Sequence, residues 1–204
     1  MKRTGFTVWF TGLPCSGKST LAALLHQHLI KRGCSVEILD GDEIRTRLTK
    51  GLGFSKEGRD ENIRRISCVA KLITRVGGIA ITAAISPYEQ LRAEAREEIQ
   101  DFIEVYVNCP IEVCIRRDVK GHYAKAQRGE IQHFTGISDP YEPPGNPDVI
   151  VRTDQETPNE SIGKVLEKLT ERKYLTSGKI HMEVGFSSTI DDQQRACLSE
   201  VKGL

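Results

Sequence analysis

Apolar residues along this chain follow two different periodicities. Short runs dense in β-branched and aromatic residues predict strands at Phe6–Thr11, Ser35–Leu39, Ile79–Ile85, Ile103–Asn108 and Val149–Val151. Between them, apolar positions recur every three or four residues and predict helices over Ser19–Lys31, Asp60–Val76, Tyr88–Ile99, Ile111–Arg117 and Asn159–Arg172. Leu21, Leu24, Leu25 and Leu29 form one such stripe; Ile63, Ile66, Val69, Ala70 and Ile73 form another. Gly33 and Gly77-Gly78 stand where helix ends favour glycine. Strand alternating with helix is the signature of an α/β fold, a parallel sheet flanked by helices. Two segments break the rhythm. Residues 118–148 show no strand pattern and hold Pro140, Pro143, Pro144 and Pro147 together with Lys120, His122, Tyr123, Lys125, Arg128, His133 and Phe134. So long a segment inside a compact domain reads as a functional lid. The tail, 176–204, offers only a weak helix over Ile190–Val201 and is expected to be a flexible or partly docked appendage to a domain of residues 1–175.

Composition narrows the partners. With 29 basic and 28 acidic residues the formal charge is +1, which argues against a protein built to bind nucleic acid or a membrane surface non-specifically. The most apolar run, Ile79–Ile85, is far short of the ~20 residues that span a bilayer. The six cysteines form no C-x-x-C pair and no metal-type spacing. They read as reduced, mostly buried thiols of a cytoplasmic protein, without structural zinc.

Chemistry enters between the first strand and the first helix. There Gly12-Leu13-Pro14-Cys15-Ser16-Gly17-Lys18-Ser19 satisfies G-x-x-x-x-G-K-[ST]. The glycines let successive backbone N–H groups converge on phosphate oxygens, and the helix N-terminus behind them adds partial positive charge. Lys18 is placed to reach the β/γ phosphates and the Ser19 hydroxyl to ligate Mg²⁺, so the motif predicts a nucleoside triphosphate site. No N-K-x-D guanine reader follows a later strand, and the third strand ends in Ser86-Pro87 rather than an acid, which argues against a GTPase or a Walker-B ATPase. The acids stand after the second strand, as Asp40-Gly41-Asp42, facing the crevice where a second substrate would lie. That placement suits a small-molecule kinase. Asp40 is then expected to hold Mg²⁺ through water and Asp42 to orient an acceptor hydroxyl. The alternative makes Asp40 a turn residue and Asp42 a helix cap.

Further motifs follow in order. Gly12–Thr20 precedes Leu39-Asp40-Gly41-Asp42 with Arg45, Gly53-Phe54-Ser55 with Arg59, Glu61-Asn62-Ile63-Arg64-Arg65, and Ile85-Ser86-Pro87-Tyr88. Arg117-Asp118-Val119-Lys120-Gly121-His122-Tyr123 and Phe134-Thr135-Gly136-Ile137 with Pro140-Tyr141-Glu142 complete the set. From Gly5 to about Leu175 the chain resembles the adenylylsulfate kinase family. The resemblance implies a P-loop kinase with a parallel sheet of about five strands and a lid. It implies transfer of phosphate from MgATP to the 3′-hydroxyl of adenosine 5′-phosphosulfate, giving 3′-phosphoadenosine 5′-phosphosulfate and ADP. It further implies catalytic roles for Lys18, Asp42, Ser86 and Lys120, nucleotide contacts from Gly12 to Thr20 and at Arg117, and acceptor contacts at Asp42, Arg45, Arg59, Asn62, Ile85, Ser86, Lys120 and Phe134. A homodimer is expected, and association or fusion with ATP sulfurylase is known in the family.

The residues support this on their own chemistry. A phosphosulfate needs cations, and arginine suits bidentate contact with phosphate or sulfate. Arg64 and Arg65 cannot both face one way on a helix. Phe134 offers a face on which adenine can stack. Ser86 matches a family serine described as a phosphoenzyme site, but no base is placed beside it, so a hydroxyl or backbone contact to the acceptor is expected instead. Glu43, His122 and Ala83-Ala84 depart from the family pattern without removing a charge or ligand. Two rivals stay open: a P-loop kinase for a sugar, shikimate or a nucleotide, and a non-catalytic nucleotide-binding domain.

Overall fold

The computed structural model describes residues 5–176, so the expectation for the tail lies outside the described residues. The chain runs β1 (Phe6–Thr11), α1 (Lys18–Lys31), β2 (Val36–Asp40), α2 (Gly41–Arg47), α3 (Lys56–Arg75), β3 (Ile79–Ala83), α4 (Glu89–Ile99), β4 (Phe102–Asn108), α5 (Ile111–Arg117), α6 (His122–Gln127), β5 (Val149–Arg152) and α7 (Pro158–Glu171). The five strands form one parallel sheet in the order β2-β3-β1-β4-β5. β1 is buried on both faces, which is why it reads as a continuous apolar run. Phe6, Val8 and Phe10 pack with Leu21, Leu25 and Leu29 of α1 and Ile162, Val165 and Leu169 of α7. Trp9 points the other way, into Ile66 and Ala70 of α3 and Leu91 of α4, and stacks on Phe102 at 5.5 Å. Strand order reverses on either side of β1, so the crevice that binds ligands in such sheets opens at its carboxyl end.

Four expectations need correction. β3 stops at Ala83, not Ile85, because the chain turns away into Ser86, a non-glycine residue at φ 40°. α3 starts at Lys56 rather than Asp60, with the Ser55 hydroxyl accepting from the Gly58 amide at 3.2 Å. The lid contains a short helix, α6, held by the Asp118 carboxylate, which accepts from the Tyr123 and Ala124 amides at 3.0 Å each. Of the five described cysteines, only Cys109 and Cys114 are buried; Cys15 and Cys34 are half-buried and Cys68 is exposed. Among the described residues no helix is long and apolar enough to cross a membrane.

Candidate functional site

A cleft of about 900 Å³ opens where the switch point predicts it, lined from the β1–α1 loop, the ends of β2 and β3, α2, α3 and the lid. Its floor is the phosphate loop. Gly12 adopts φ 151°, and a Cβ there would lie 2.6 Å from the Val107 carbonyl, so only glycine fits. Gly17, at φ 105°, caps α1, and Lys18 opens it. The Lys18 ammonium donates to the carbonyls of Gly12 at 3.0 Å and Leu13 at 2.7 Å. Burial pushes its pKa down to about 8, against the opposing pull of nearby thiols and of Asp42 and Asp40. The Ser16 hydroxyl is buried beneath the loop with no partner among the described residues.

Asp40 serves two purposes at the end of β2. Its Oδ1 accepts from the Asp42 amide at 2.9 Å and so caps α2, while its Oδ2 accepts from the Ser19 hydroxyl at 2.7 Å. The cap is therefore Asp40, which leaves the Asp42 side chain free for the cleft. Asp42 Oδ2 accepts from Lys120 Nζ at 2.5 Å, a pair 78 residues apart in sequence that joins the end of the sheet to the lid. That bond raises the Lys120 pKa.

The acceptor side is built on α2 and α3. Arg45 lies over the Phe54 ring at 4.5 Å and donates to the Leu52 and Gly53 carbonyls at 3.3 Å each. Burial first, and the neighbouring Arg59 guanidinium second, pull the Arg45 pKa down. Two cations thus crowd one end of the cleft, an arrangement that an anion relieves. Arg59 is buried, and the lid engages it: it donates to the Phe54 carbonyl, Thr135 Oγ1 and the His133 carbonyl, and pairs with Asp139 at 3.1 Å. Asn62 Oδ1 accepts from Thr49 at 2.7 Å. Phe134 meets the edge of Tyr123 at 4.9 Å. Ile85 lines the same wall, and Ser86, almost fully buried, accepts from Trp9 Nε1 at 3.0 Å and donates to the Ala84 carbonyl at 3.4 Å.

Pro14, Cys15, Gly17, Lys18, Ser19, Thr20 and Arg117 join the acceptor residues on the cleft wall; Gly12, Leu13 and Ser16 do not. Leu13 packs instead against the small cluster of Cys109, Cys114 and Tyr123 behind the loop. Arg117 reaches the Thr153 carbonyl at 2.7 Å and lies 3.4 Å from the Cys15 and Ser16 carbonyls, bracing the phosphate loop from α5. Arg64 and Arg65 turn to Glu94 and Glu61 and leave the cleft. Sequence reasoning gave no site role to Phe54, an aromatic residue 57% exposed inside the cleft, or to Thr153 and Glu156, and placed His122 and His133 only in the lid, from which both line the cleft. Phe54 had a legible signal: it lies in Gly53-Phe54-Ser55 between the two arginines.

A phosphate loop at the switch point of a parallel sheet, facing a cationic acceptor pocket under a basic lid, is the architecture of a P-loop kinase. A family model described as adenylylsulphate kinase matches residues 4–152. An adenylyl-sulfate kinase from Picosynechococcus sp. is 58% identical over 176 residues, 86% of this chain and 99% of that one. A probable bifunctional SAT/APS kinase from Sorangium cellulosum is 59% identical over 84% of this chain, which spans 30% of that longer protein. The Mycobacterium tuberculosis APS kinase CysC, solved in complex with AMPPNP and APS, superposes with a TM-score of 0.79 at 45% identity, over 82% of this chain and 98% of that one. The chain belongs to the adenylylsulphate kinase family.

Proposed function

We propose that this chain transfers the γ-phosphoryl group of ATP to the 3′-hydroxyl of adenosine 5′-phosphosulfate, releasing 3′-phosphoadenosine 5′-phosphosulfate and ADP. One observation carries the reading. A single cleft holds a phosphate loop with a half-neutralisable Lys18 at one end and the crowded Arg45–Arg59 pair at the other, with Asp42 and Lys120 joined between them. The AMPPNP and APS bound by the M. tuberculosis relative support the same pair of ligands here.

The chain's residues divide the work. Lys18 exchanges the carbonyls of Gly12 and Leu13 for oxygens of the β- and γ-phosphates. Ser19 and Asp40, hydrogen-bonded to each other, are two hard oxygen donors of the kind Mg²⁺ takes when phosphates and water complete its shell, so these residues would hold it. Bound there, Mg²⁺ supplies positive charge to the phosphates. Lys120 leaves Asp42 for the transferred group, and Asp42 is freed to orient the 3′-hydroxyl and accept its proton. The bond from the γ-phosphorus to ADP breaks as the bond to the 3′-oxygen forms. Phe54 and Phe134 supply aromatic faces for the acceptor adenine. Arg45 receives the phosphosulfate, and Arg59 joins it by loosening its hold on Asp139. The Ser86 hydroxyl, committed to Trp9 and Ala84, has no base beside it, which supports transfer without a phosphoserine. The free thiols of Cys15, Cys68, Cys109 and Cys114 fit a reducing, cytoplasmic location. Assembly as a homodimer, and association with a sulfurylase, belong to the same proposal; the bifunctional Sorangium relative supports the latter.

An ADP-release assay across adenosine 5′-phosphosulfate, adenosine, nucleoside monophosphates, gluconate and shikimate tests the reading. Losing a charge-assisted contact costs ~1.5–3 kcal/mol, so Arg45→Ala and Arg59→Ala should each lower kcat/KM for the phosphosulfate about 10- to 150-fold. With adenosine, which lacks the clamped group, the loss should be much smaller. Preference for gluconate, shikimate or a nucleoside monophosphate sinks the assignment, as does an equal loss on adenosine and adenosine 5′-phosphosulfate.

A further inference from the structure

Behind the acceptor wall lies a buried charge network that the chemistry above does not use. Arg92, on α4, is 2% exposed. Its guanidinium divides among three partners. Nε donates to Glu104 Oε1 on β4 at 2.9 Å, Nη1 to the Ser86 carbonyl at 2.7 Å, and Nη2 to the Glu142 carbonyl at 2.7 Å. Glu104 is also approached by Arg96 at 3.3 Å, and Arg96 pairs with Asp148 at 2.8 Å. Burial alone would raise the Asp148 pKa, but the Glu104 amide, Arg96 and Arg172 outweigh it and hold the carboxyl below its ordinary value. The network is anchored in the sheet through Glu104 and the Asp148 carboxylate beside it.

The three partners of Arg92 belong to three parts of the molecule: the sheet, the turn after β3 that carries Ile85 and Ser86 into the cleft, and the end of the lid. The last two are stitched a second time. The Glu142 amide donates to the Pro87 carbonyl at 2.9 Å, and its carboxylate accepts from the Glu89 amide at 2.7 Å. Next to it, Tyr141 shares a hydrogen bond with Thr11, the last residue before the phosphate loop, at 3.0 Å. Ser86 needs such support. It sits at φ 40°, where side-chain-bearing residues are disfavoured unless their surroundings over-determine them. A charge-assisted bond to its carbonyl fixes the peptide plane and with it the direction in which Ile85 and Ser86 present themselves to the acceptor.

Stability alone is a poor reason for this arginine. An apolar side chain of similar volume would hold α4 on the sheet without the cost of desolvating a charge. What it could not do is bind two carbonyls from different segments at a fixed spacing, which the planar fork does. We propose that Arg92 is a positioning residue for the acceptor, holding the Ser86 turn and the end of the lid in mutual register while touching no substrate itself. The inference rests on the reading that the Ile85–Ser86 wall receives the acceptor.

Steady-state kinetics of Arg92→Ala and Arg92→Lys, with acceptor and ATP varied separately, test it. The unmutated protein is first run across the acceptor panel, and the variants are then compared on whichever acceptor it prefers. A wrong substrate assignment is thereby seen in the unmutated protein, before any variant is judged. Loss of the fork should raise the acceptor KM about tenfold or more while the ATP KM stays within about twofold, because the ground-state acceptor wall moves and the phosphate loop does not. Guanidinium at millimolar concentration should restore the acceptor KM of Arg92→Ala; methylammonium, a cation without a fork, should not. Should Arg92→Ala fail to fold, Arg92→Lys keeps a charge opposite Glu104 and carries the test with the same expected KM split. The proposal is overturned if a folded variant keeps its acceptor KM. It is equally overturned if both KM values rise together, or if methylammonium restores Arg92→Ala as well as guanidinium does.

Discussion

At the scale of single residues, the cations of the cleft have partners within the fold: Lys120 pairs with Asp42, Arg59 with Asp139, and Lys18 donates to two loop carbonyls. Lys18 makes this measurable. Its pKa of about 8 in the fold, against 10.5 when exposed, means the unfolded chain binds more protons between those values. This group therefore makes stability rise as pH climbs from about 8 to about 10.5, and phosphate binding, which favours the ammonium, should reverse the shift. Nucleotide binding at pH 8 should then take up about half a proton. Titration calorimetry in two buffers of different ionisation enthalpy reads that uptake, and Lys18→Met should abolish it; a buffer-independent enthalpy in the unmutated protein would contradict it. In the proposed mechanism Asp42 acts on the transition state, so Asp42→Ala should lower turnover at least about 100-fold with an unchanged circular dichroism spectrum. Near-normal turnover would remove Asp42 from the mechanism.

At the scale of elements, legibility followed burial. The strands and the long helices α1, α3, α4 and α7 bury a face, and burial is what imposes period on a sequence. α2 has no buried residue, so no apolar stripe marks it; the Asp40 cap holds it, and that carboxylate reads equally well as a site residue. α6 is six residues long, entered through Gly121 at φ 67° and held by Asp118, and it hides inside a segment rich in glycine and proline. α7 shows the opposite case, a helix start written locally. Thr157 Oγ1 accepts from the Glu160 amide at 3.3 Å, Glu160 accepts from the Thr157 amide at 2.7 Å, and Pro158 follows the cap. Removing such a cap costs ~1 kcal/mol, so Thr157→Ala should lower Tm by about 2–4 °C. Thr157→Ser should recover most of that loss in a thermal melt. Equal melting of the Ala and unmutated proteins would show that α7 is held by its packing on α1 and the sheet, without help from the cap.

At the scale of the whole molecule, the described residues, Gly5 to Thr176, already supply a complete five-stranded sheet, its helical layers and a cleft with the phosphate loop, the acids and the arginines. A chain of residues 1–176 should therefore keep its phosphotransfer activity in the ADP-release assay. Its Tm should stay within ~8 °C of the full chain's, since a larger fall, roughly 2 kcal/mol or more, would mean that residues 177–204 dock on the core. The sequence by itself determined the alternation that makes a parallel sheet, the loop from Gly12 to Ser19, and the ordered motifs that place the chain in its family. All of these are local in the chain, carried by spacing and by the few residue types that tolerate a tight phosphate loop. The pairing of Asp42 with Lys120, the burial of Arg59 under the lid, the entry of Phe54 into the cleft and the anchoring of the Ser86 turn by Arg92 were decided only by the tertiary structure. These contacts join segments that meet only after the sheet has formed, and a hydrogen bond between a side chain and a distant carbonyl leaves no periodic trace in the sequence of either partner.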